Sequence, residues 1–179
     1  MTDPDLNELR QPLASGDESA FADLFDRCGD RLLAVALGLV RRRDEAEDAV
    51  QETFAALVRS RHRLVRVRDL EAYLFTVLRR QALRVLDGRR REPAPLPEEV
   101  MHCGEREAED QRADLLRDLR QALPSKQREV LALKIEGGLT FAEIGRVLGV
   151  SADTAASRYR YALAKLKTGF ERRSVETKE

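Results

Sequence analysis

Pro93, Pro95 and Pro97, in the run E-P-A-P-L-P, constrain this chain more than any other feature of its sequence. Proline locks φ, removes a backbone donor and pushes the residue before it toward extended geometry. No helix therefore passes through residues 92–97, and a polyproline-like connector is expected instead. Acidic residues and Gly104 follow. Residues 92–108 read as a linker between an N-terminal domain at 10–91 and a smaller C-terminal one at 109–170. The length of 179 residues suits two small domains.

On either side the pattern is helical. Phe21, Leu24, Phe25, Cys28, Leu32, Val35 and Leu39 recur at three- and four-residue steps. Ala46, Ala49, Val50, Thr53, Phe54 and Leu57 form a second stripe, and Leu70, Tyr73, Leu74, Val77, Leu78 and Val85 a third. Asp44 and Asp69 are expected N-caps, and Gly88 a C-terminal stop. No segment alternates with period two long enough for a strand. The expected fold is all-α, two small helical domains joined by a flexible linker, with three or four helices in each half. The hydrophobic fraction of 42% supports a core. No apolar run approaches the roughly 18–20 residues of a membrane helix, so no membrane insertion is expected. The acidic, polar first ten residues do not resemble a secretory signal. Only two cysteines, Cys28 and Cys103, point to a reducing, cytoplasmic setting.

Lys and Arg total 32, as do Asp and Glu, so the net charge is zero. Position changes the meaning of that neutrality. Residues 59–91 carry 11 Arg against Asp69, Glu71 and Asp87, and residues 119–179 carry 12 basic against 7 acidic residues. Residues 1–30 and 92–118 are acidic. Basic blocks are the electrostatic footprint of a polyanion partner, although a solvated helix face produces similar runs.

Leu139–Lys167 has the layout of a helix-turn-helix. Thr140 can cap a helix over Phe141–Leu148. Gly149 sits where the turn needs positive φ, and Ser151 can cap a second helix from about Ala152 to Lys167. Gly145 is expected to allow close packing of the two helices. Ala155, Tyr159, Ala162 and Leu166 face inward. Asp153, Ala156, Ser157, Arg160, Tyr161 and Ala164 face outward, with Arg160 and Lys165 able to reach phosphates or guanine edges. A helical hairpin that binds protein would share this geometry.

In the N-terminal half, Glu47, Asp48, Gln51 and Glu52 form an outward acidic face suited to a basic partner or to water. Residues 59–68 read R-S-R-H-R-L-V-R-V-R, five Arg in ten residues, and Arg79, Arg80 and Arg84 follow on the next helix. Guanidinium groups bind phosphate in bidentate fashion and stack on bases. A GC-rich genome would also favour Arg over Lys, and only five of the 32 basic residues are Lys.

These residues resemble the sigma-70 family of bacterial RNA polymerase sigma factors, in its extracytoplasmic-function (ECF) group. The resemblance rests on E-A-E-D-A-V-Q-E-T-F at 45–54 and L-P-S-K-Q-R-E-V-L-A-L-K at 123–134. It continues through G-L-T-F-A-E-I-G-R-V-L-G-V-S at 138–151 and T-A-A-S-R-Y-R-Y-A-L at 154–163. It implies a region 2 helical bundle and a region 4 helix-turn-helix, acting as a promoter-specificity subunit. Glu47, Asp48, Gln51 and Glu52 would dock on the β′ clamp helices of core polymerase, and other region 4 surfaces on the β flap. Arg61, His62, Arg63, Arg66, Arg68, Arg80 and Arg84 would open and read the −10 element. Ser151, Ala156, Ser157, Arg160, Tyr161 and Lys165 would read the −35 element. An anti-sigma factor is the implied inhibitor.

Four positions depart from the family pattern. Tyr73 stands in place of a frequent Trp, Arg80 and Arg84 in place of Asn and Asp, and Ala156 in place of a basic residue. No catalytic motif or phosphate loop appears, no cofactor is implied, and His102–Cys103 is a weak metal signal, so an enzyme is not expected. The competing reading is a stand-alone two-domain helix-turn-helix regulator.

Overall fold

The computed structural model describes residues 4–40, 42–89 and 108–176. The expected linker lies outside the described residues except for Ala108, and His102 and Cys103 lie outside them too. Among the described residues all regular structure is helical. In chain order the α-helices are α1 (Arg10–Ser15), α2 (Glu18–Leu39), α3 (Arg43–Arg59), α4 (Leu70–Arg89), α5 (Ala108–Gln121), α6 (Ser125–Ile135), α7 (Phe141–Leu148) and α8 (Ala152–Glu176). Short 3-10 turns at Pro4–Leu9 and Arg61–Arg66 complete the set.

Helix α2 starts at Asp17, whose carboxylate accepts from the Ser19 amide and hydroxyl. The Ser19 hydroxyl bond, followed by the amide bond, holds the Asp17 carboxyl below its ordinary pKa. Asp69 caps α4, accepting from the Ala72 amide at 2.9 Å. Asp44 does not cap α3. The helix begins at Arg43, so Asp44 lies within its first turn and pairs with Arg42. That bond lowers the Asp44 carboxyl pKa. Gly88 does not stop α4, which continues to Arg89, and its φ is not left-handed.

The three apolar stripes form the N-terminal core, where Leu24, Leu32, Val35, Leu57, Leu74 and Leu78 are fully buried. Phe25 is the exception. It is 54% exposed and meets Phe54 in a tilted ring pair with centroids 5.2 Å apart. Leu6 and Leu13 extend this core to the chain's first turn. Asn7 accepts from the Leu70 amide, and Arg10 donates to the Val67 carbonyl.

The C-terminal helices centre on α6. Val130, Leu131, Ala132 and Leu133 are all buried, which a helix of alternating faces would not allow. Leu131 packs with Leu123 and Ala162 of α8 in a small separate cluster. Val130, Ala132 and Leu133 instead join the core of the N-terminal half, together with Ile144 and Val147 of α7. Helix α2 packs on α6, and α4 on α7. The two halves thus share one contiguous apolar core.

Candidate nucleic-acid interface

The helix-turn-helix is assembled by local chemistry. Thr140 Oγ1 accepts from the Glu143 amide, while the Glu143 carboxylate accepts from the Thr140 amide at 2.6 Å and hydroxyl at 2.7 Å. This reciprocal capping box fixes the start of α7. Gly149 then adopts φ 67°, a left-handed value that a β-carbon would strain. Gly145 lies so close to the turn that an added β-carbon would meet the Val150 carbonyl oxygen at 2.7 Å. Ser151 Oγ accepts from the Thr154 amide at 3.1 Å and starts α8.

Helix α8 runs to Glu176, nine residues beyond the expected end at Lys167. Ala155 and Ala162 are buried, and Tyr159 meets Phe141 in a tilted ring pair with centroids 5.6 Å apart. Among the residues expected to read DNA, Ser151, Arg160, Tyr161 and Lys165 are exposed, while Ala156 and Ser157 are partly buried. Tyr161 is 66% exposed. Arg160 donates to Ser157 at 3.2 Å, so the two polar side chains lie together on the outer face.

In the N-terminal half, the end of α3, the Arg61–Arg66 turn and α4 surround an open polar cavity of about 340 Å³. His62, Arg63, Arg80 and Arg84 of the expected set line it. Arg61, Arg66 and Arg68 are exposed outside this lining. The Arg61 side chain lies over the Gly16 turn, with Nε 3.1 Å from where a β-carbon would project. Sequence reasoning missed five lining residues: Ala56, Arg59, Ser60, Tyr73 and Gln81. Gln81 is buried and accepts from Arg84 at 3.3 Å, orienting that guanidinium. The spacing 73–80–81–84 on one helix was the available signal. Arg79, next to this set, turns away and pairs with Glu129 of α6 at 2.7 Å.

Glu47, Asp48, Gln51 and Glu52 are all exposed on α3. Glu47 pairs with Arg43 at 2.8 Å and Glu52 with Arg59 at 3.2 Å. The acidic face is thus partly balanced by its own helix. Among the described residues no group of three or more His, Cys, Asp or Glu side chains could hold a metal. No described helix is long and apolar enough to cross a membrane.

Two helical modules, one with a basic cleft and one with an exposed face on α8, define the class: a bipartite all-helical protein. Comparison with known proteins narrows the class. Residues 24–92 match the model of Sigma-70 region 2, and residues 121–168 that of Sigma-70, region 4. The RNA polymerase sigma factor CarQ of Myxococcus xanthus is 31% identical over 157 residues, covering 85% of this chain and 90% of CarQ. The ECF RNA polymerase sigma factor SigK of Mycobacterium tuberculosis (strain ATCC 25618 / H37Rv) is 29% identical over 175 residues, covering 91% of this chain and 92% of SigK.

Solved structures agree on the fold. CnrH, in complex with the cytosolic domain of CnrY, superposes with a TM-score of 0.70 at 24% identity, over 92% of this chain and 96% of that one. The sigma factor RpoE in complex with the anti-sigma factor NepR, from Bartonella quintana, gives 0.67 at 22% identity, over 84% and 96%. The chain belongs to the sigma-70 family of RNA polymerase sigma factors, in its ECF group. It is a transcription regulator that binds core polymerase and promoter DNA. The presence of region 2 beside region 4 disfavours a stand-alone helix-turn-helix regulator.

Proposed function

We propose that residues 10–91 bind core polymerase and the −10 element, that residues 109–170 read the −35 element, and that residues 92–108 connect them. The observation that most supports this division is the pair of separate basic surfaces. One is the cleft lined by His62, Arg63, Arg80 and Arg84, and the other is the exposed face of α8 bearing Arg160 and Tyr161. The cleft is polar, open and about 340 Å³, suited to an unstacked base held between guanidinium groups. Tyr73 and Gln81 supply a ring edge and an amide there. On α8, residues near the helix start approach base edges, and Lys165 approaches phosphate.

The acidic face of Glu47, Asp48, Gln51 and Glu52 docks on the β′ clamp helices, and region 4 meets the β flap. The chain is a specificity subunit and not itself an enzyme; the polymerase makes the phosphodiester bonds. It acts in the cytoplasm, where an anti-sigma factor restrains it, as the partners in the two related complexes suggest.

The deciding experiment is transcription in vitro with purified core polymerase on genomic fragments, with start sites mapped. Specific starts that depend on this chain are expected. Duplex binding without core, and no start sites, would instead favour the stand-alone regulator.

A further inference from the structure

The cleft between α3, the Arg61–Arg66 turn and α4 is lined mainly by hydrogen-bond donors. Arg59, Arg63, Arg80 and Arg84 contribute guanidinium groups, and no carboxylate lies in the wall. Glu52, which pairs with Arg59, stands outside the lining. A guanidinium offers five N–H donors and no acceptor, while Tyr73 and His62 can donate as well as accept. The Ser60 hydroxyl donates to the Ala56 carbonyl at 2.7 Å. Gln81 carries the one side-chain amide of the lining and is only 4% exposed. Its carbonyl oxygen accepts from Arg84 Nη1 at 3.3 Å. That bond withdraws the Gln81 acceptor from any ligand and steadies the Arg84 guanidinium. Among the described residues no other hydrogen bond or ion pair engages Arg84, so its Nε–H and Nη2–H edge is left open.

A wall of this chemistry discriminates among unstacked bases by their acceptors. Guanine presents two adjacent acceptors, O6 and N7, on one edge, and an arginine fork matches them. Adenine presents N7 beside an N6 amino donor. A glutamine reads that pair with its carbonyl and amide together, but the Gln81 carbonyl is already engaged. Cytosine presents an N4 amino donor that calls for an acceptor such as a carboxylate, and the lining has none. Thymine offers O4 alone, beside its methyl group. A donor set against a donor in a confined site leaves both without partners, which costs more than one missing bond.

We propose that this cleft selects guanine, with the Arg84 fork as the reading group and Gln81 as the residue that positions it. This selection rests on the −10 reading of the cleft and names the base which that reading leaves open. Arg80 and Arg84 stand where the family pattern often has Asn and Asp, so the preference is a property of this chain's own residues. Arg63 and Arg80 are left for the flanking phosphates, which carry no sequence information.

The test measures binding of the holoenzyme, this chain with core polymerase, to fluorescent single-stranded decamers by anisotropy. One decamer is all dT, and three others carry a single central dG, dA or dC. Phosphate contacts are common to all four, so differences report the base. The dG decamer is expected to bind about tenfold tighter than the others. Replacing its guanine by 7-deazaguanine, which lacks the N7 acceptor, should abolish that gain. Hypoxanthine keeps N7 and O6 without the 2-amino group and should preserve it. Arg84→Lys keeps the charge but loses the fork, so the ratio of dG to dT affinity should fall to about one. Gln81→Met should lower the same ratio, which a purely structural role would not move. Equal binding of all four decamers, a preference for dA or dC, or a gain lost with hypoxanthine and kept with 7-deazaguanine would overturn the proposal. So would a gain that survives Arg84→Lys. The analogue arm uses the unaltered chain, so it decides the matter even where a variant folds poorly. Failure of the −10 reading itself shows separately, as an absence of chain-dependent start sites in the transcription assay.

Discussion

Removing the Thr140 hydroxyl tests whether the capping box sets the start of α7. The Thr140→Ala variant loses the acceptor for the Glu143 amide, a change that typically costs about 1 kcal/mol. It also removes a 2.7 Å donor to the carboxylate of Glu143, a residue only 5% exposed. Hydrogen bonds to charged groups contribute about 1.5–3 kcal/mol, and the two losses share one hydroxyl, so a sum of about 2 kcal/mol is reasonable. Because the halves share a core, the chain should melt as one unit of 150–250-residue size, where about 1 kcal/mol moves Tm by roughly 2–4 °C. Thr140→Ala should therefore lower Tm by about 4–8 °C by circular dichroism. Thr140→Ser keeps both bonds and should stay near wild type. Duplex affinity well below Tm should not change, because Thr140 lies outside the α8 face. A Tm shift under about 2 °C for the alanine variant, or an equal shift for serine, would refute the reasoning.

Four further outcomes are expected. Gly145→Ala gains about 1 kcal/mol of helix propensity but places a β-carbon 2.7 Å from the Val150 carbonyl oxygen. Overpacking of about 1–3 kcal/mol should win, lowering the urea midpoint; a raised midpoint would contradict the close approach. Arg160→Ala should weaken −35 duplex binding by about 10–100-fold with core binding intact, and loss of core binding instead would displace the assigned face. Changing Arg61, Arg63 and Arg66 to Gln should reduce the slope of log K against log salt by about 1–3, each phosphate contact being worth roughly 0.9; an unchanged slope means these groups do not touch phosphate. Replacing Asp48 and Gln51 together with Lys should reduce polymerase affinity in a pull-down titration, and full retention would remove them from the docking face.

The local features of this fold were legible in the sequence because their causes are local. Thr140, Gly149 and Ser151 each act on amides or dihedrals within three residues, so α7, the turn and the start of α8 could be placed from residue types alone. The Asp69 cap was found for the same reason. Asp44 misled because a carboxylate in the first turn looks like a cap in sequence, and only the Arg42 bond shows its role. Phe25 fitted the helical period but lies at the stripe's edge, where Phe54 gives it a partner outside the core.

The contacts between the halves were not legible. Glu71 reads as a first-turn surface acid, yet it is buried against Arg31 forty residues earlier. Arg79 reads like Arg80, and one step of helical rotation sends it to Glu129. One signal was present and unused. The run Val130–Leu133 has no polar position, which requires a helix covered on two sides.

The strap at the chain's start has a consequence for the order of folding. Asn7 and Arg10 hold the segment just after the basic turn, at Leu70 and Val67, through bonds spanning 63 and 57 residues. Closing a loop of that length costs about 3–4 kcal/mol of chain entropy before any contact rewards it. The helix-turn-helix closes over three-residue spans instead. During synthesis the first turn emerges early, but it has nothing to grip until α4 begins to appear. The arginine-bearing turn is thus expected to be set late, and a nascent chain would acquire the start of α8 by local steps and its cleft by a long-range one.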